Sequence, residues 1–160
     1  MSDRIAVMNK GHIEQMGNAE ALYEHPKTRF VGTFLGTCNL IEATILSQDE
    51  NTALVESKFG KLKIEFSKDR PITKKDKVTL AIRPEKVSLR ASPGSENDNC
   101  FQVNIKELLY IGSETHYQMI CNDSCLSAEI MNSKVGSQGF EIGQSAHIYL
   151  PPAALIPLDD

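Results

Sequence analysis

The chain has 160 residues, enough for one ordinary domain or a small domain with an appendage. Apolar residues make up 41% and charged residues 24%, near globular averages, so intrinsic disorder is not expected. The formal net charge is −4, with Lys and Arg scattered and Trp absent, which argues against a nucleic-acid or anionic-membrane footprint.

The first segment, Asp3 to Gly17, reads as a β-hairpin. Ile5, Val7 and Met8 are apolar on one arm, Ile13 and Met16 on the other, and Asn9-Lys10-Gly11 supplies a turn that tolerates positive φ. Asn18 is a helix N-cap for Ala19 to Glu24, which Pro26 ends; Thr28 caps a second helix. In that helix Phe30, Val31, Phe34 and Leu35 form an apolar stripe, Gly36 is the stop, and Gly32 with Gly36 predicts close helix packing.

From Asn39 the period switches to alternation. Strands are expected at Leu40 to Leu46, Thr52 to Glu56, Lys61 to Phe66 and Val78 to Ile82. After a polar loop at Ala91 to Asn99, they resume at Phe101 to Leu109, His116 to Cys121, Leu126 to Met131 and Ala146 to Leu150. Short strands with frequent turns after two helices predict a small barrel or sandwich.

Residues that carry chemistry are few. Cys38, Cys100, Cys121 and Cys125 are expected as reduced thiols. Cys121 and Cys125 with nearby His116 invite a metal reading, but no second paired knuckle exists, and an Asn-Asp-Ser turn between two strands explains the spacing. No metal site is expected. His12, His25, His116 and His147 are expected at the surface. No G-x-x-x-x-G-K-[ST] loop is present to cradle a phosphate. Gly136-Ser137-Gln138-Gly139 lacks nucleophile-elbow spacing and reads as a turn. No secretory signal is expected, and the apolar run from Ile148 to Leu158, interrupted by three prolines, falls short of the roughly 20 residues that span a bilayer. A soluble chain follows.

Arg83-Pro84-Glu85 is the polar constellation to weigh. Pro84 removes a backbone donor and is expected to end the Val78 to Ile82 strand or mark a sheet edge, leaving Arg83 and Glu85 to pair with neighbouring segments. One reading is a contact surface toward a partner, the other a corner that fixes barrel geometry.

Three stretches carry a family resemblance. Asp3 to Gly17 resembles the closing hairpin of the ATPase domain of importer-type ABC transporters, and Gly17 to Pro26 with Arg29 to Asn39 resembles the linker that follows it. Leu80-Ala81-Ile82-Arg83-Pro84-Glu85-Lys86-Val87 is similar to the signature of the transport-associated OB (TOBE) domain. Tyr110-Ile111-Gly112-Ser113-Glu114-Thr115-His116-Tyr117 is similar to that domain's later strand-turn-strand. Ala19, where the family often has proline, and the Leu150-Pro151-Pro152-Ala153-Ala154 ending depart from the pattern.

The resemblance implies a mainly β, OB-like barrel (39–160) preceded by the terminal ATPase hairpin (1–17) and a helical linker (18–38). It makes Arg83, Pro84, Glu85, Tyr110 and Gly112 structural or interface residues, with no catalytic, nucleotide-binding or metal residue. The implied role is a regulatory and dimerisation domain of an importer ATPase, polyamine type first, iron and sugar types close. Mg-ATP would belong to the parent protein, whose switch histidine would lie shortly before Asp3. The implied partners are a second ATPase subunit and the permease, on the cytoplasmic face of the membrane. The alternative is a stand-alone OB-type oxyanion binder, with Gly112-Ser113 and Lys74-Lys75-Asp76-Lys77 as loose candidates. Single-strand nucleic-acid binding lacks the aromatic, basic groove it needs. With the larger sheet missing, the hairpin is expected to fold back on the OB domain or pair with another copy.

Overall fold

The computed structural model describes residues 3–68, 71–72, 76–94, 99–132 and 139–160. Lys74, Lys75 and the Gly136–Gln138 turn lie outside the described residues, as does part of the Ala91 to Asn99 loop.

The N-terminal hairpin forms as β1 (Ile5–Asn9) and β2 (His12–Gly17). Lys10 and Gly11 both take positive φ, 47° and 84°, the geometry of a tight primed turn whose twist matches that of the strands. A bulge after Val7 turns Val7 inward and leaves Met8, Ile13 and Met16 more than half exposed. The hairpin stays a separate two-stranded sheet. It packs on the helices: Val7 meets Leu22 and Val31 in a small cluster, and the Gln15 amide bridges the His25 carbonyl and the Lys27 N–H.

Helices α1 (Ala19–Glu24) and α2 (Arg29–Phe34) begin where their caps place them. The Asn18 side chain accepts from the Ala21 N–H at 2.7 Å and Thr28 from Val31 at 3.3 Å. The expected stripe on α2 is broken, because Val31 is buried while Phe34 is 62% exposed and stacks on Phe30 instead.

The barrel is two five-stranded antiparallel sheets. The first has the order β12-β6-β3-β4-β5, from β3 (Asn39–Gln48), β4 (Thr52–Ser57), β5 (Gly60–Glu65), β6 (Lys77–Ile82) and β12 (Ile156–Pro157). The second has the order β10-β9-β8-β11-β7, from β7 (Ser88–Arg90), β8 (Cys100–Ile111), β9 (Glu114–Cys121), β10 (Ser124–Met131) and β11 (Ser145–Tyr149). Inward residues of both sheets, among them Leu62, Ile64, Leu80, Met119 and Ile148, make one continuous core.

Two asparagines stitch the sheets together. Asn39 on β3 is 7% exposed, and its side chain accepts from the Ser127 N–H and donates to the Ser127 carbonyl, taking the place of a neighbouring strand on the edge of β10. Asn99 is 3% exposed. It accepts from the Lys63 N–H and donates to the Lys63 and Leu150 carbonyls, joining β5 to the far sheet. Buried backbone groups that no ladder reaches are satisfied this way.

Candidate functional site

Arg83 follows the last residue of β6, and Pro84 opens a short 3-10 turn at Pro84–Lys86. The guanidinium is buried, 4% exposed, so every donor needs a partner. It finds carbonyls at the C-terminal ends of both helices. Nε and Nη2 donate to the Tyr23 carbonyl at 3.2 and 3.1 Å; Nη1 donates to Gly32 at 2.8 Å, Thr37 at 3.1 Å and Gly36 at 3.4 Å. The Tyr23 and Gly32 carbonyls lie in the last turns of α1 and α2, where no intrahelical partner remains, while Gly36 and Thr37 follow α2; a cation at a helix C-terminus also meets the negative end of its dipole.

The Tyr23 ring closes the arrangement from one side, its centroid 4.0 Å from the guanidinium carbon, and its hydroxyl donates to Glu85 at 2.8 Å. Burial first, then the hydrogen bond and charge of Glu85, push the Tyr23 phenol up to about 12. Lys86 adds an ion pair with Glu24 at 3.2 Å. Arg83 and Glu85 together clasp the helical linker to the barrel, with Pro84 buried between them. Burial also raises the thiol of Cys38, beside the clasp, and that of Cys121.

Tyr110 and Gly112 sit elsewhere, at the tip of the β8–β9 hairpin. Gly112 has φ 64° at the first position of a two-residue turn, where glycine is favoured. The Asn132 amide donates to the Gly112 carbonyl at 2.9 Å, and the Asn132 N–H donates to the Ser113 carbonyl at 2.8 Å. Tyr110 is 67% exposed, amid exposed Leu108, Leu109, Ile111 and Met131. No hydrogen bond among the described residues links this tip to the clasp.

The cysteines are all free. Cys121 is buried and Cys125 exposed, and His116 lies on the opposite face of β9 from Cys121, so these three form no common ligand set. The strand resumes at Ser124 after Asn122 and Asp123, both at positive φ. Two histidines depart from the surface expectation. His116 is half-buried between Glu114 and Glu129, and His147 is half-buried with Nδ1 lacking a partner. Sequence periodicity gave no signal for Asn39, Asn99 or Tyr23, whose roles depend on partners far along the chain.

Residues 80–158 match the TOBE domain. That stretch of the chain is a TOBE domain. The chain is also similar to spermidine/putrescine import ATP-binding proteins called PotA. It is 36% identical to that of Roseobacter denitrificans over 150 residues, 92% of this chain and 40% of the relative. With that of Trichodesmium erythraeum it shares 36% over 124 residues, 74% of this chain and 32% of the relative. The chain thus spans well under half the length of these relatives. Among solved structures it resembles the cytoplasmic molybdate-binding protein ModG in its molybdate-bound form. That likeness has a TM-score of 0.64 at 13% identity and covers 74% of this chain and 94% of ModG, a likeness of fold. Among the described residues no helix is long and apolar enough to cross a membrane.

Proposed function

We propose that this chain is the regulatory and dimerisation portion of an importer ATPase subunit, of the polyamine-uptake type, and that it hydrolyses no ATP itself. The observation that carries the reading is the similarity to PotA proteins over as much as 92% of the chain, a stretch that includes both the linker and the barrel. The clasp supplies the mechanism. An importer ATPase works by nucleotide-driven closure of paired subunits, and an appended barrel follows that motion only if its mount is stiff. Arg83, held by four linker carbonyls, is such a mount.

Mg-ATP does not fit this chain. The sequence holds no phosphate-cradling loop, and Arg83, the buried cation among the described residues, is spent on carbonyls. Nucleotide is assigned to the rest of the parent protein. The partners are a second subunit and the permease, and the place of work is the cytoplasmic face of the membrane. The apolar hairpin tip around Leu109, Tyr110 and Ile111 is the surface assigned to the second subunit.

The test joins this chain to the nucleotide-binding part of the Roseobacter relative, replacing the segment it matches, in cells that lack polyamine uptake. Restored uptake, reduced by Arg83→Ala, is expected. A fusion that is made and reaches the membrane yet never restores uptake contradicts the reading.

The ModG likeness favours a second reading, an oxyanion-binding module. The Gly112-Ser113 turn argues against it, since the contacts recorded there are made by carbonyls, which repel anions. Calorimetry with molybdate and sulfate separates the two; saturable binding would favour the second.

A further inference from the structure

Beside the clasp, where the charge of Glu129 acts on Tyr23, strand register gathers three metal-ligating side chains on one outward face of β9 and β10. Glu114 and His116 lie two residues apart on β9, and Glu129 on β10 is the cross-strand partner of His116. The imidazole sits between the carboxylates, Nε2 2.8 Å from Glu114 Oε1 and Nδ1 3.9 Å from Glu129 Oε1. One ligand atom from each residue falls within 4.8 Å of the others. The side chains are 24–36% exposed, sheltered yet open to an ion from solvent.

The charges do not balance. Two carboxylates face one imidazole, and His116 is the cationic partner recorded for both among the described ion pairs. With a neutral ring and both carboxylates ionised, the group carries two negative charges. A divalent ion cancels both.

We propose that Glu114, His116 and Glu129 form a three-ligand site for a borderline divalent transition metal such as Zn²⁺ or Co²⁺. An imidazole with two carboxylates suits these ions, whereas Mg²⁺ and Ca²⁺ prefer oxygen alone and Cu⁺ prefers sulfur. Metal–ligand distances of about 2.0–2.2 Å require the three side chains to draw inward by rotation about their own bonds. The strand pair fixes their backbones, and the outward face leaves coordination positions for water or a donor from another protein.

The test titrates the full 160-residue chain, kept reduced, with ZnCl₂ and with CoCl₂, by calorimetry and thermal denaturation. One ion per chain is expected, with a raised Tm because only the folded state presents the site. The Co²⁺ spectrum should show nitrogen and oxygen ligands without a thiolate charge-transfer band. His116→Ala and Glu129→Gln, each checked for an unchanged circular dichroism spectrum, should weaken binding at least about tenfold. His12→Ala and Cys125→Ser should leave it unchanged. Three results overturn the proposal: no saturable binding at millimolar metal, binding that survives His116→Ala, or binding lost in Cys125→Ser. Imidazole ¹⁵N shifts showing a doubly protonated His116 indifferent to added Zn²⁺ would likewise overturn it, by placing a proton where the ion belongs.

Discussion

The barrel and the N-terminal hairpin-helix unit are stabilised in opposite ways. The barrel buries a continuous core of large side chains from both sheets, with Asn39 and Asn99 closing the seams. The N-terminal unit has Val7, Leu22 and Val31 as its buried cluster, too few to offset the ordering of its backbone. What it has instead is a cation from the barrel. The lesson is that the linker's structure is borrowed: its helices end where Arg83 receives their carbonyls.

The comparison is sharpened by substitutions that strike one region and spare the other. The largest effect belongs to the barrel core. Ile64→Ala or Leu80→Ala, both fully buried, should cost about 2–5 kcal/mol and lower the single global unfolding midpoint measured in urea. Arg83→Ala comes next. It strips partners from the carbonyls of Tyr23, Gly32 and Thr37, and by analogy with other buried charged groups should cost about 3 kcal/mol, felt by the linker. Arg83→Lys should recover little of it, since an ammonium cannot reproduce the planar fork.

Asn99→Ala follows, at about 1–3 kcal/mol, because the Lys63 N–H and two carbonyls lose their partner inside the barrel. Chemical denaturation should register this as a change in midpoint at constant slope.

The smallest effect is a titration. The Tyr23 phenol is raised from 10.0 to about 12, so the folded chain holds that proton more tightly than the unfolded one. The stability it adds is fully present below pH 10 and is lost as pH rises through about 12. Absorbance of phenolate should show one of the four tyrosines ionising last, and Glu85→Gln should bring it earlier. An unchanged late tyrosine in that variant would remove Glu85 from the clasp.

Local features were legible in the sequence. Asn18 and Thr28 cap the helices they precede, the Lys10-Gly11 turn makes its hairpin, and the alternation at Lys61 to Glu65 and Val78 to Ile82 forms strands, because each depends on neighbours within a few residues. β7 and β12 escaped notice because three and two residues carry no period. Pro84 was readable as the end of β6, but the partners of Arg83 lie 46 to 60 residues away, beyond any local pattern. Asn39 is likewise hidden from Ser127, 88 residues on, and His116 meets Glu129 only through the pairing of β9 with β10. Phe34 fits the helical stripe by spacing yet faces solvent, since the cluster beside α2 takes Val31, with Phe30 and Leu35 packed against it, and leaves Phe34 out.

The most direct test of the clasp is amide hydrogen exchange on the intact chain and on Arg83→Met. In the variant, β1, β2, α1 and α2 should lose protection while β3 to β6 and β8 to β11 keep theirs. Equal loss across the barrel, or no loss in the linker, would contradict the claim that Arg83 holds the two regions together.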